Sequence, residues 1–360
     1  MLERQITFFE DEKIKDESTI SVNKLPNSGT LKVVSLFSGC GGMDLGFRGD
    51  FTSFDRYYEK NPFDIVFAND IIQRACDTYE HNFNHKPCCG DVCELDYSLL
   101  PNADIIIGGF PCQDFSIAGK RRGLSAERGK LYLEMKKVIQ HCKPMAFVAE
   151  NVDGIRKPKI GDESSALDVI LDDFRNVGYT VVYKALNAAN YGVPQTRIRV
   201  IIVGIRNDLK KAMKYPSETN GNNSEHPWLT AKEAIDDLWD KIDNTNIKNH
   251  TSKDYSKAKF YPGRNMQGNC RIKADKPSPT IRSEHHGNIE GHYRTMMPDK
   301  PFDTNGWRRL SVRECARLQS FPDSFEFPVS SSDAYKQIGN AVPPILAWHI
   351  ARALYISLFT

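Results

Sequence analysis

The feature that most constrains this chain is an alternation of short apolar runs with helix-length segments between residues 31 and 206. Segments with an apolar period near 3.6, such as 71–83 and 131–141, separate runs whose length and composition are typical of strands. Five such runs lie at residues 32–37, 64–68, 104–107, 146–149 and 199–205. Strands that alternate with helices predict an α/β fold, in which a mostly parallel sheet is covered by helices on both faces.

Composition divides the rest of the chain. Residues 1–30 are polar and charged, which predicts a mobile N-terminal arm. Residues 207–307 are rich in Asn, Lys, His, Pro and Gly and have little apolar periodicity, which predicts a small inserted domain. We therefore expect a main domain made of residues 31–206 and 325–360, with residues 308–324 forming a hinge and a helix between the two domains.

The charged residues are nearly balanced over the whole chain but not locally. With 48 Lys and Arg against 46 Asp and Glu, the net charge is +2, so the chain as a whole is not a polycation. Residues 244–294 hold ten Lys or Arg and four Asp or Glu, which is a local net charge of +6. Such a basic segment favours contact with the phosphates of a nucleic acid.

Neither a membrane span nor a disulfide framework is expected. No run of 18 apolar residues is uninterrupted. The nearest candidate, 341–360, contains two prolines, His349 and Arg352, and predicts a buried C-terminal helix instead. Nine cysteines, an odd number thinly spread over 360 residues, are typical of a reducing cytosol. We expect a cytoplasmic protein without a membrane partner.

Features typical of a nucleotide site follow the first two predicted strands. The first strand runs into residues 37–42, whose glycines allow a ligand to approach the backbone at the carboxyl end of a parallel strand. Asp70 follows the second strand, where a carboxylate can accept hydrogen bonds from ribose hydroxyls, and Asp91 can bind an adenine amino group. These residues predict a cofactor that contains adenosine. The third glycine of the dinucleotide fingerprint is missing, which argues against a nicotinamide cofactor.

Groups suited to nucleophilic catalysis lie at the ends of the third and fourth predicted strands and at the start of the fifth. Cys112 lies on a Gly- and Pro-rich loop at the end of the third strand, where a nucleophile would be placed, although a lone cysteine is more often a small core residue. Glu150 follows at the end of the next strand and can act as an acid or base. Arg197 and Arg199 lie at the start of the fifth strand and keep their charge at any physiological pH.

Taken in order, these motifs resemble those of DNA cytosine methyltransferases that modify carbon 5 of the ring, of the bacterial restriction-modification type. The resemblance extends from Val33 to the C-terminus and leaves out residues 1–29 and most of 207–307. It implies a Rossmann-like, S-adenosylmethionine-dependent methyltransferase fold with an inserted target-recognition domain. The matching blocks are residues 37–42, 109–113, 150–152, 195–199, 313–318 and 337–342.

The resemblance implies a role for each catalytic residue. Cys112 as thiolate would attack carbon 6 of a cytosine flipped out of the duplex, Glu150 would bind the N3/N4 edge, and Arg199 with Arg197 would hold O2. Carbon 5 would then take the methyl group of S-adenosylmethionine, leaving S-adenosylhomocysteine, without a metal. The implied cofactor contacts are Phe37, Gly39, Gly41, Gly42, Asp70, Ile71, Asp91, Val92, Pro111, Leu131 and Asn340.

The implied partner is double-stranded DNA. The loop after Cys112 is suited to close over the flipped base, with Ser116, Lys120 and Arg121 at the DNA. In the small domain, Thr280 belongs to a short Thr-aliphatic pair that resembles the signature of the family's recognition domain. Arginines that can bind guanine bidentately are Arg264, Arg271, Arg282 and Arg294. The family context also implies a restriction endonuclease acting on the same sequence without a stable complex, and a monomeric enzyme.

Three alternatives remain. An RNA cytosine methyltransferase shares these motifs, although the hundred polar and basic residues before the penultimate motif favour DNA. A catalytically silent DNA-binding protein of the same fold is disfavoured because all three kinds of catalytic side chain are retained. A zinc site is disfavoured because two of its cysteines are adjacent and no ligand pair repeats. The residues of that site would be His81, His85, Cys88, Cys89 and Cys93.

Overall fold

A computed structural model gives the fold of the protein. It describes residues 20–83, 85–111, 131–157, 165–222, 224–253, 269–283, 291–295 and 307–360. In the described chain, the helices are α1 (Gly42–Arg48), α2 (Gln73–Phe83), α3 (Leu131–Cys142), α4 (Ala166–Arg175), α5 (Ala231–Ile235), α6 (Val312–Leu318), α7 (Ser331–Asn340) and α8 (Pro344–Phe359).

A seven-stranded sheet lies at the centre of the described residues. Its strands are β1 (Leu31–Leu36), β4 (Phe63–Asp70), β5 (Cys88–Cys89), β6 (Ile105–Gly108), β7 (Ala146–Val152), β8 (Tyr179–Asn187) and β9 (Ile198–Arg206). The spatial order is β5-β4-β1-β6-β7-β9-β8. In this order, the first five strands run parallel to one another, and β9 is antiparallel to both of its neighbours, β7 and β8. This arrangement confirms the predicted mostly parallel sheet and all five predicted strands.

Two smaller sheets complete the described strands. The hairpin β2 (Phe51–Ser53) and β3 (Arg56–Tyr58) follows α1. A three-stranded sheet, with one parallel and one antiparallel pairing, is formed by β10 (Asn269–Arg271), β11 (Gly291–Thr295) and β12 (Trp307–Arg309). The strands β10 and β11 lie in the predicted small domain, and β12 extends from its last residue into the predicted hinge.

The central sheet is covered on both faces, as the alternating pattern predicts. One face packs against α3 and α4, whose buried residues Val138 and Ile170 belong to the smaller core cluster. The other face packs against α1 and α8 in a larger cluster. A Cβ atom at Gly46 on α1 would lie 2.4 Å from the Cβ of Ala347 on α8. The two helices can therefore approach this closely only because residue 46 is glycine.

The C-terminal helix α8 is buried on nearly all sides. Within the described residues, the helical stretch Ser331–Phe359 is long and apolar enough to cross a membrane by length and composition, yet 89% of its apolar window is buried inside the structure. This burial confirms the prediction of a buried C-terminal helix.

The described residues correct the predicted N-terminal arm. The backbone of Ile20 exchanges 3.0 Å hydrogen bonds with Tyr215 and Ser217. The guanidinium of Arg352 donates to the carbonyls of Val22 and Asn23. Residues 20–23 therefore pack onto both the segment that follows β9 and the helix α8. Residues 1–19 lie outside the described part.

The described part of the predicted small domain shares the core of the main domain. Met213, Tyr215, Ile272 and Ile281 are buried in the larger core cluster. The predicted helical piece at 231–239 is present as α5 followed by a 3-10 helix, Asp236–Lys241. Parts of 207–307 therefore pack directly onto the main domain.

Candidate active site

The strand register brings several predicted site residues to one edge of the sheet. Leu36, the last residue of β1, pairs with Asn69 on β4 and with Gly108 on β6. Gly108 in turn pairs with Ala149 on β7. Because β9 is antiparallel, its first residues lie at the same edge, and Arg199 pairs with Val152. We call the edge formed by the ends of β1, β4, β6 and β7 and the start of β9 the catalytic edge.

The turn after β1 is shaped by three positive φ angles. They occur at Phe37 (53°), Gly39 (55°) and Gly41 (91°). Asp70 holds this turn, because its Oδ2 accepts a 2.8 Å hydrogen bond from the Gly39 N–H and its Oδ1 a 2.9 Å bond from the Ile72 N–H. Burial raises the pKa of Asp70, although both N–H donors favour the charged form.

The three glycines of this turn serve different purposes. A Cβ atom at Gly41 would lie 2.3 Å from Cε2 of Phe83, and one at Gly42 would lie 2.5 Å from the carbonyl oxygen of Val342. At Gly39 a Cβ atom would meet nothing within 4 Å. Gly41 and Gly42 are therefore required by packing, whereas Gly39 borders open space that a ligand can enter.

The surroundings of Asp70 fit an adenosine-containing cofactor. Ile71 is 64% exposed, which is unusual for a large aliphatic side chain and leaves an apolar surface next to a carboxylate at the catalytic edge. Such a pair matches a flat base attached to a ribose. Phe37, the first residue after β1, is half-buried. These residues fit S-adenosylmethionine, the cofactor that the sequence motifs imply.

The remaining expected cofactor contacts are more dispersed. Asp91 is half-buried and caps a 3-10 helix through a 2.9 Å bond from the Cys93 N–H. The side chain of Val92 is buried in the smaller core cluster, and its expected contact with the cofactor stays a prediction. The other three lie at element ends: Pro111 and Asn340 are exposed, and Leu131 is half-buried.

A buried carboxyl behind the turn was missed by the sequence analysis. Asp44, in the first turn of α1, is fully buried and accepts hydrogen bonds from Ser35 Oγ (3.1 Å) and Tyr79 Oη (3.0 Å). Burial raises its pKa to about 6. Tyr79 stacks on Phe83, the ring that contacts Gly41. The signal that could have revealed this support is an acidic residue among the apolar residues that begin α1.

Glu150 and Arg199 form a buried ion pair at the catalytic edge. Arg199 Nε lies 2.8 Å from Glu150 Oε1, and both side chains are nearly buried. Burial raises the pKa of Glu150, while the charges of Arg199 and Arg197 oppose this shift. Burial also lowers the pKa of Arg199, which Glu150 opposes. The carboxyl therefore holds a proton at higher pH than an exposed glutamate does.

The backbone that leads to the predicted nucleophile passes beside this ion pair. A Cβ atom at Gly109 would lie 2.9 Å from Glu150 Oε2, and Asn151 Nδ2 donates a 3.0 Å hydrogen bond to the Phe110 carbonyl. The chain is described as far as Pro111. Four of the expected site residues lie beyond Pro111 and outside the described part: Cys112, Ser116, Lys120 and Arg121.

The structure corrects the expectation that Arg197 holds the base together with Arg199. Arg197 is fully buried, and its terminal nitrogens donate to the backbone carbonyls of Ile281, Gly339 and Ala341. Arg197 precedes β9, which begins at Ile198, so the alternation of a strand does not align the two guanidinium groups. Arg199 is the arginine that contacts Glu150.

Of the residues expected to contact DNA, one is buried and others lie at the surface. Arg294 is buried and paired with Asp236 (2.6 Å) and Glu314 (3.0 Å), which corrects its expected role at the DNA, because its guanidinium is enclosed by protein. Arg282 is exposed, and Thr280 is half-buried with its hydroxyl donating to the Thr196 carbonyl. Arg271 lies in β10, and Arg264 lies outside the described residues.

The predicted alternative metal site has no matching geometry in the part of the chain that the structure describes. No group of three or more His, Cys, Asp or Glu side chains there is placed to hold a metal ion. His81 instead lies 3.5 Å from a carboxylate oxygen of Glu326.

Comparison with known proteins gives the family. The family described as C-5 cytosine-specific DNA methylase matches residues 31–355. The Type II methyltransferase M.NgoFVII of Neisseria gonorrhoeae is 35% identical over 347 residues, covering 91% of this chain and 87% of that protein. M.FnuDI of Fusobacterium nucleatum is 36% identical over 352 residues, covering 90% and 94%.

A solved structure agrees at the level of the fold. A DNMT2 variant of Spodoptera frugiperda covers 92% of this chain and 100% of its own, with a TM-score of 0.66 at 20% identity. The shared fold is the S-adenosylmethionine-dependent methyltransferase fold that the motifs imply. The chain therefore belongs to the C-5 cytosine-specific DNA methylase family, whose members transfer a methyl group from S-adenosylmethionine to carbon 5 of cytosine in DNA.

Proposed function

We propose that this enzyme methylates one cytosine within a specific sequence of double-stranded DNA, with Cys112 as nucleophile and Glu150 and Arg199 as the groups that bind the base. The observation that carries this assignment is the buried Glu150–Arg199 pair at the catalytic edge, directly beside the backbone of Gly109. Cys112 follows three residues later in the sequence.

The chemistry explains why these three side chains are needed together. Carbon 5 of cytosine is a poor nucleophile. Attack of the Cys112 thiolate on carbon 6 makes carbon 5 electron-rich. Glu150 binds the N3 edge, where the carboxyl's raised pKa suits a group that shares a proton with the ring. Arg199 donates to O2, where negative charge develops. Once carbon 5 carries the methyl group, a base takes the proton from carbon 5, the double bond between carbons 5 and 6 forms again, and the Cys112 thiolate leaves carbon 6.

S-adenosylmethionine supplies the electrophilic methyl group when it is bound. We assign its adenosine to the surface formed by Phe37, Gly39, Asp70 and Ile71. Asp70 would accept from the ribose hydroxyls while it keeps the turn in place through the Gly39 N–H. Ile71 offers the exposed apolar surface that a purine ring can cover.

We assign recognition of the DNA sequence to residues 207–307. Their basic part, 244–294, has a net charge of +6, which favours phosphate contact. Within it, exposed Arg282 is the described candidate for a base edge. We further propose a cytoplasmic monomer that shares its target sequence with a separate restriction endonuclease, as the restriction-modification relatives suggest.

The test compares substrates and variants in one methyl-transfer assay. Wild-type enzyme with labelled S-adenosylmethionine should label duplex DNA and leave transfer RNA unlabelled. Cys112→Ala should abolish transfer yet bind the cofactor within about a few-fold of wild type, because the thiol acts on the base. Cys142→Ala, which changes a half-buried thiol at the end of α3, is the matched control and should keep full activity.

Two results would contradict the proposal. Substantial turnover by Cys112→Ala would remove this residue as the nucleophile. Labelling of transfer RNA in place of duplex DNA would identify an RNA methyltransferase. Sequencing DNA from a host that expresses the gene, with a readout of cytosine methylation, would then give the target sequence.

A further inference from the structure

Three fully buried polar side chains lie where four segments of the chain meet. They are Gln195, Arg197 and Gln319, each with no exposed surface, and we call them the buried polar cluster. Burial of polar groups costs free energy unless each is hydrogen-bonded. Three such residues in one place therefore indicate that the segments they join must be held in one arrangement.

Arg197 joins two of these segments. Its Nη1 donates a 2.9 Å hydrogen bond to the carbonyl of Ile281, in the predicted recognition domain. Its Nη2 donates to the carbonyls of Gly339 (2.7 Å) and Ala341 (3.0 Å), at the end of α7. The planar guanidinium, with donors pointing in several fixed directions, suits three carbonyls at once, whereas a lysine ammonium does not.

The two glutamines extend the same connection. Gln195 Oε1 accepts from the Ile281 N–H (3.0 Å), so both backbone groups of Ile281 are held by the cluster. Gln195 Nε2 donates to Gln319 Oε1 (2.6 Å), and Gln319 Nε2 donates to the Ala341 carbonyl (2.6 Å). The cluster thus links the region before β9, the recognition domain, α6 and α7.

Further contacts around Ile281 also hold the segment 278–283 against the main domain. The Thr196 N–H donates a 2.8 Å hydrogen bond to the Ser278 carbonyl, and Thr280 Oγ1 donates a 2.7 Å hydrogen bond to the Thr196 carbonyl. On the opposite side, a Cβ atom at Gly339 would lie 2.3 Å from the carbonyl carbon of Arg282. The segment 278–283 is therefore packed between the start of β9 and the end of α7.

We propose that the buried polar cluster positions the segment 278–283, and with it Arg282, against the catalytic edge, so that Arg197 couples sequence recognition to binding of the target base. Arg197 is two residues from Arg199, and Ile281 precedes Arg282 directly. Burial lowers the pKa of Arg199, and the positive charge of Arg282 acts in the same direction. This inference rests on the proposed assignment of recognition to residues 207–307.

The role assigned to Arg197 is that of a positioning residue, and two variants test it. Arg197→Lys keeps the charge but loses the planar fork. Thr280→Val removes only the hydroxyl bond to Thr196, which keeps the test available if the first variant does not fold. Arg352→Lys is the matched control, because Arg352 is also buried and donates to backbone carbonyls, those of Val22 and Asn23, outside the catalytic edge.

Each variant is measured on the cognate duplex and on duplexes with one base pair changed. Arg197→Lys should lower kcat/KM on the cognate duplex, and the ratio of cognate to changed duplex, by about tenfold each. Thr280→Val should lower both by about threefold. Cofactor Kd should change less than the duplex ratio does, because the cluster reaches the expected cofactor contacts only through the carbonyls of Gly339 and Ala341, on either side of Asn340.

A second readout reports the coupling directly. A duplex with fluorescent 2-aminopurine at the target position should show weaker emission with Arg197→Lys than with wild type, because less of the base leaves the stack. Arg352→Lys should lower the Tm and leave the duplex ratio and the emission unchanged.

The inference is overturned if Arg197→Lys and Arg352→Lys lower the Tm equally and both keep the duplex ratio and the emission, since Arg197 would then be merely structural. If Arg197→Lys does not fold, an unchanged ratio for Thr280→Val overturns it. Absence of methyl transfer to any duplex DNA by wild type is a different outcome, because then the proposed function fails first and the inference with it.

Discussion

Replacing Asp44 by Asn should change how the stability of the protein depends on pH. The Asp44 carboxyl is fully buried, and burial raises its pKa from 3.8 to about 6, although Ser35 and Tyr79 donate hydrogen bonds to it and Arg48 lies nearby. A group whose pKa is raised by folding stabilises the folded state least when it is ionised. Wild type therefore loses stability through this residue as the pH rises from about 4 to about 6.

The magnitude follows from the size of the pKa change. A difference from 3.8 to about 6 is about two pKa units, which corresponds to about 3 kcal/mol between low and neutral pH. Asn does not ionise, so Asp44→Asn removes this dependence. Its hydrogen bonds to Ser35 and Tyr79 change by a constant amount that does not depend on pH. The stability of the variant relative to wild type should therefore rise by about 3 kcal/mol over this interval.

The assay is urea unfolding of both proteins at several pH values between 4 and 8, with the difference in free energy of unfolding plotted against pH. Tyr79→Phe provides a control of opposite sign. It removes a donor that favours the charged carboxylate, so the pKa of Asp44 should rise further and the pH dependence should widen. Parallel curves for wild type and Asp44→Asn would refute the reasoning, because the carboxyl would then titrate alike in the folded and unfolded states.

Three further predictions concern single sites. Asp70→Ala should raise the cofactor Kd at least about tenfold in calorimetry, because the turn loses its bond at the Gly39 N–H; an unchanged Kd would exclude Asp70 from the cofactor site. Arg294→Met should destabilise the protein by about 3 kcal/mol in denaturant unfolding, because it breaks buried ion pairs. It should leave the salt dependence of DNA binding unchanged; a weaker dependence of DNA affinity on salt would show that Arg294 contacts the DNA. Gly204→Ala should cost about 1–3 kcal/mol, because its Cβ atom would lie 2.1 Å from Phe147; an unchanged Tm would contradict this packing.

The strands that the sequence predicted correctly are those whose pattern leaves no alternative. Residues 105–107 are three consecutive isoleucines, all fully buried, and such a run fits a central parallel strand. Strand β8 was not predicted. It lies at the edge of the sheet and mixes buried residues with exposed ones such as Tyr183, so its pattern is weak.

Site residues were predictable where the local sequence determines the geometry. Asp70 is the last residue of β4 and Glu150 lies near the end of β7, so their position at the catalytic edge follows from the topology of a parallel sheet. The difference between Arg197 and Arg199 depends on segments more than eighty residues away, which supply the carbonyls of Ile281 and Gly339. The number and spacing of arginines in the sequence give no information about such distant partners. The burial of Arg294 was not predictable for the same reason, because it depends on Asp236 and Glu314.

The burial of α8 has a consequence for the biosynthesis of the enzyme. A ribosome delivers the chain from its N-terminus, and α8 follows every other described element in the sequence. Until Ala347 is available, the face of α1 around Gly46 and the apolar groups beneath it have no cover. Nascent and prematurely terminated chains therefore expose this surface to aggregation and proteolysis. We therefore expect chains that end before α8 to lack the packed core on which the catalytic edge rests, and so to carry out no methylation.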